Sequence, residues 1–144
     1  EITGGADLSE QFNVAAGDLE MEPGMIAVID PERPGGLRLS ERAYDPRVAG
    51  VISGAGGVKP GMLMGQRGTE ADGEVPVALT GRVYCWVDAS NGPVEPGDLL
   101  TTSDTPGHAM RVDDPSRAHG TILGKAMTGL AEGRGLVLVL VALQ

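Results

Sequence analysis

A proline followed by glycine fixes two successive backbone conformations, and this chain uses the pair as punctuation twice over. At Pro96-Gly97 and again at Pro106-Gly107, proline presets φ for the second position of a type II turn. Glycine then accepts the positive φ of the third position. The β-rich runs Leu99-Leu100-Thr101-Thr102 and Ala109-Met110-Arg111-Val112 beside these turns read as a complete hairpin. The same order occurs earlier, as Glu22-Pro23-Gly24-Met25-Ile26-Ala27-Val28-Ile29-Asp30 and then Arg33-Pro34-Gly35-Gly36-Leu37-Arg38-Leu39. Glu-Pro-Gly recurs after 73 residues and the second Pro-Gly after 72, while Gly50-Val51-Ile52 meets Gly120-Thr121-Ile122 at 70. Such nearly constant offsets predict one β unit used twice.

Composition agrees with that reading. A chain of 144 residues suits one domain, and folding at this size buries about 68–70% of the unfolded surface. Its 23 glycines and 10 prolines fall between apolar segments without a collagen period, which is the pattern of many turns joining short strands. The expected fold is therefore all-β, a β-sandwich or distorted barrel built from two related β units with little or no helix. Residues 1–5 are read as a linker end, 6–72 as the first unit and 73–144 as the second, within a single domain. The chain opens at Glu1 without Met or a signal-peptide pattern and reads as a fragment or processed piece. The formal charge of −9 argues against nucleic acid and anionic lipid, which reward clustered Lys and Arg. No run reaches the ~18 apolar residues that a spanning segment needs.

The best-defined strand runs from Val75 to Val87. Its odd positions are apolar or glycine, and its even positions are Pro76, Ala78, Thr80, Arg82, Tyr84 and Trp86. At ~3.3 Å per residue this run spans roughly 43 Å, too long for a flat strand in a small domain. Gly81 at its centre marks a bend, one side packing with each unit. By parity Cys85 faces inward as a small core hydrophobe. The outward row Arg82, Tyr84 and Trp86 carries the one Trp of the chain, and it reads either as an interface or as a cross-strand cluster. In the last element, Leu136 to Leu143, all eight residues are apolar, so one face must be central between layers or shared with another subunit. The candidate interface residues are Arg82, Tyr84, Trp86, Leu136, Leu138 and Leu140.

Chemistry has weaker support. Ser103, Asp104 and His108 lie close, with Asp113 and Asp114 behind, but Asp104 and His108 flank a Pro-Gly turn where polar residues serve the turn, and no elbow accompanies the serine. His108, His119 and Asp113 make a poor metal set, because such sites need three or four supported ligands. The glycines of Ser53 to Gly61 match neither the P-loop nor the dinucleotide spacing. No catalytic residue, metal or cofactor is assigned.

Several longer motifs resemble a known group. Gly5-Ala6-Asp7-Leu8-Ser9-Glu10-Gln11-Phe12, Glu22-Pro23-Gly24, Ile29-Asp30-Pro31, Tyr44-Asp45-Pro46-Arg47-Val48-Ala49-Gly50-Val51-Ile52-Ser53, Val77-Ala78-Leu79-Thr80-Gly81-Arg82-Val83 and Pro96-Gly97-Asp98-Leu99-Leu100 look like the C-terminal β domain of bacterial and phage surface-fibre proteins of unassigned function. The opening is also similar to autoproteolytic intramolecular-chaperone domains of phage tail appendages, with Leu8 and Ser9 where those carry an aromatic residue and alanine. More distantly, the second half resembles capsid-decoration β domains. The resemblance implies a non-enzymatic, trimerising head of a fibrous or surface-exposed protein, its partners an upstream shaft, further copies of itself and a surface ligand for adhesion. It places the protein outside the cell, on a cell surface or on a virion. The alternatives it implies are a self-cleaving domain, with Ser9 or Thr3 as nucleophile, and a capsid-decoration protein.

Overall fold

The computed structural model describes residues 6–57, 62–63 and 74–144, in which ten strands and two single 3₁₀ turns account for the regular structure. The strands are β1 (Ala6–Ala15), β2 (Ile26–Ile29), β3 (Leu37–Leu39), β4 (Val48–Ile52), β5 (Met62–Leu63), β6 (Glu74–Asp88), β7 (Leu99–Thr102), β8 (Ala109–Arg111), β9 (Ile122–Ala126) and β10 (Arg134–Val141). The all-β expectation is met, and the Pro-Gly turns do the work the sequence assigns them. Gly24 and Gly97, each just before a hairpin, hold φ of +94° and +97°, a region that costs a side-chain-bearing residue dearly.

Strand pairing closes on itself twice. One ring of five runs β6-β4-β2-β3-β1 and back to β6. The other runs β6-β8-β7-β9-β10 and back to β6. Closure leaves the ring strands paired on both sides, so they expose few free edges. The two rings repeat one design. Hairpin β2–β3 matches β7–β8, parallel pair β1–β3 matches β6–β8, and β2–β4 matches β7–β9. Even the register shifts correspond, after Ala27 in one ring and after Leu100 in the other, 73 residues apart. β6 thus serves as the last strand of the first ring and the first strand of the second.

Gly81 makes this double duty geometrically feasible. Its φ of +94° departs from strand geometry at the point where β1 and β10 both reach β6. Before Gly81, Val77 packs with Val14, Ala27, Leu37, Leu39 and Ile52 inside the first ring. After it, Val83, Cys85 and Val87 pack with Leu100, Ala109, Leu123, Val137, Val139 and Val141 inside the second. Ala78 departs from the simple alternation, because its outward side chain is buried in that second cluster together with Ile26, Val48 and Val51.

One alignment from the sequence needs correcting. Gly50 corresponds to Gly124, not to Gly120. At both Gly50 and Gly124 a Cβ would collide with a backbone carbonyl of the next strand, that of Ala78 or of Leu140. The β8–β9 connection carries an extra 3₁₀ turn at Pro115–Arg117, which moves the offset from 72 at the second Pro-Gly to 74 at this glycine.

Candidate functional site

The long alternation of β6 and the apolar run of β10 come together on one surface. Trp86 lies opposite Leu136, Tyr84 opposite Leu138 and Arg82 opposite Leu140. Directly opposed residues of an antiparallel pair share a face, so all six candidate interface residues stand side by side. The odd residues of β10, Val137, Val139 and Val141, fill the core of the second ring. The even ones do not. Leu136 and Leu138 are half-buried, and Leu140 keeps 43% of its surface.

The upper end of this face is covered by the chain itself. Gly24 lies so close to the indole that a Cβ there would come within 3.0 Å of Trp86 Cδ1, and the same holds for Gly56 over the Tyr84 ring. The Trp86 backbone N–H donates to Gly24 O at 2.8 Å, and the indole leans on the His108 ring with centroids 5.7 Å apart. At the lower end the face is open and continues past the residues that the sequence singles out. Lys125 on β9 lies opposite Leu140, and Leu99 on β7 lies opposite Lys125. Met127, whose N–H donates to Leu138 O at 2.7 Å, is exposed beside them. Sequence reasoning missed Leu99, Lys125 and Met127, because the order β10-β9-β7 is not the order of the chain.

Of the residues considered for chemistry, Ser103, Asp104 and His108 are engaged elsewhere. Ser103 Oγ donates to the backbone oxygen of His108 at 2.7 Å, not to its ring. The ring Nδ1 lies 2.8 Å from Pro106 O, and Asp104 Oδ1 accepts the Ala43 N–H at 2.8 Å. The backbone N–H groups of Asp113 and Asp114 both donate to the Tyr44 hydroxyl, at 2.9 and 2.8 Å, while His119 is exposed. Among the described residues no three His, Cys, Asp or Glu side chains gather as a metal set would. Ser9 is fully buried in β1, and Thr3 lies outside the described residues. Cys85 is inward as parity requires, and burial pushes its thiol up to about 12.

A second feature, the connection between β3 and β4, joins the two rings. Residues 43–45 lie against the second ring: the Asp45 N–H donates to Thr102 Oγ1 at 2.8 Å, and the Tyr44 N–H to Thr102 O at 3.3 Å. Tyr44 holds a φ of +57°, with Arg117 stacked 4.4 Å from its ring centre. Burial pushes the Asp45 carboxyl up, but the Arg47 guanidinium, at 2.9 and 2.8 Å, outweighs it and keeps the group below its ordinary value.

No protein-family model matches the chain, and no curated protein matches it. Solved structures do share its fold. The C-terminal fragment of gene product 12 of bacteriophage phi29 is similar over 94% of this chain and 100% of its own, with a TM-score of 0.59 and 17% identity. The N base of head fiber gp8.5 of bacteriophage phi29 is similar over 92% of both chains, with a TM-score of 0.51 and 21% identity.

Proposed function

We propose that the chain is a non-enzymatic structural domain of a virion fibre, assembling as a homotrimer through the outer face of β6 and β10. The observation that carries this reading is the face itself. Leu138 and Leu140, with Leu99 and Met127 exposed beside them, line one side of a sheet whose other side is already a closed core. Monomeric soluble proteins seldom leave large contiguous apolar patches open. Two considerations support the fibre assignment and the homotrimer. One structure sharing the fold is a head fiber base, and the capsid-decoration β domains that the second half resembles are typically trimeric, which supports the homotrimer. On this reading the long loops serve adhesion, and a fibre shaft is a partner of the domain.

Sedimentation velocity over a concentration series tests the reading. A trimer at micromolar concentration is the expected result. A chain that remains monomeric throughout would end it.

A further inference from the structure

The two rings can be compared with each other position by position. In the first ring, residues opposite one another across β1, β6, β4 and β2 form the row Ser9, Ala78, Val51, Ile26. In the second, the same places across β6, β10, β9 and β7 are held by Arg82, Leu140, Lys125 and Leu99. The equivalence is close: Ser9 and Arg82 are 73 residues apart, as are Ile26 and Leu99, and Val51 and Lys125 are 74 apart. Both rows turn away from the core of their own ring.

Their environments are opposite. All four members of the first row have 0% exposure, because Ile26, Val51 and Ala78 pack into the apolar cluster of the second ring. In the second row Leu140 keeps 43% and Leu99 36%, and Arg82 and Lys125 are exposed. Met127, at 41%, widens the open area.

We infer that a second copy of this chain covers the row Arg82, Leu140, Lys125, Leu99, as the second ring covers the equivalent row of the first. The repeated unit uses this side of its sheet for docking once within the chain, and the second use needs a partner. Charge selects the partner. The row places two cations beside two leucines, and neither Arg82 nor Lys125 forms an ion pair among the described residues. A chain with 20 acidic and 11 basic residues offers another copy's carboxylates to both. Contact between Leu99 and Leu140 and an apolar surface supplies attraction, and the cations fix orientation. This inference rests on the homo-oligomeric reading above and specifies its face.

Three variants test it by sedimentation: Leu140→Asp, Leu99→Asp and the double variant R82E/K125E, each with its melting curve as a control for folding. All four positions are solvent-exposed in the single chain, so the charge reversal leaves the fold intact even where a leucine change disturbs it. At least a tenfold weakening of self-association is expected in each, and added salt weakens the wild-type association as well. Folded variants that assemble as the wild type does would overturn this inference and the face given above while leaving the homo-oligomer standing, since assembly would then use another face. A wild-type chain that never self-associates would overturn both this inference and the reading beneath it.

Discussion

Removal of one oxygen atom, in Tyr44→Phe, probes how firmly the two rings are joined. The hydroxyl accepts two backbone N–H groups from the second ring, those of Asp113 and Asp114. Phenylalanine keeps the ring under Arg117 and leaves the φ of +57° unchanged, so the change isolates those hydrogen bonds. Each is worth about 1 kcal/mol net, and a backbone donor left without an acceptor costs about 1–3 kcal/mol unless water reaches it. Asp113 is exposed, so water recovers its amide, while Asp114 is half-buried and recovers less. The expected loss is therefore about 1–2 kcal/mol, or roughly 3–8 °C in melting temperature for a domain of this size. Urea unfolding followed both by far-UV circular dichroism and by fluorescence of Trp86, which sits at the seam between the rings, measures it. Because β6 belongs to both rings, the two probes should trace one transition. A loss below about 0.5 kcal/mol would refute the latch, since that is less than one ordinary hydrogen bond. Two separated transitions would refute the coupling.

Three further outcomes follow from the same geometry. Gly124→Ala should destabilise by ~2 kcal/mol or more, because the new methyl meets the fixed Leu140 carbonyl and must push β9 from β10; chemical denaturation reads it, and Gly50→Ala should behave alike against Ala78. Hydrogen bonds from Ser90 and Thr105 hold the Asp88 carboxyl down at about 2. A carboxyl depressed in the folded state stabilises above its unfolded value of ~3.9 and loses that contribution as pH falls toward 2, so Asp88→Asn should flatten the acid side of the stability curve by about 1–2 kcal/mol. Finally, the Cys85 thiol, fully buried and raised to about 12, should resist alkylation in the folded protein at neutral pH and react at the unfolding rate; fast native labelling, read by mass, would contradict the inward assignment.

Much of this was legible because turns and alternation are local. The Pro-Gly pairs announce both hairpins, and the period-two pattern with Gly81 at its centre announces a bent strand serving both units. Other features depend on register between strands distant in sequence. The alternation of β6 cannot say that Ala78 faces a second core, because that burial is supplied by Val83, Cys85 and residues far beyond. The apolar run of β10 indicates that its even side chains want cover, but not that Lys125 and Leu99 extend the surface, since β9 and β7 meet β10 by a long-range order. Tyr44-Asp45-Pro46-Arg47 reads as an ordinary polar connection until its partners Thr102, Asp113 and Asp114, 57 to 70 residues away, are placed beside it. Ser103 and His108 are neighbours for the opposite reason, a tight turn whose backbone takes up the serine hydroxyl.

The most direct test of an assembly face on the second ring is the reactivity of Lys125, exposed in the single chain and central to the row with Leu140 and Leu99. Amine labelling at increasing protein concentration, read residue by residue by mass spectrometry and normalised to the urea-unfolded chain, follows its cover. If a second copy docks there, Lys125 loses reactivity as the chain assembles and regains it in Leu140→Asp. Lys125 labelling that stays constant while sedimentation shows the chain assembling would contradict that docking.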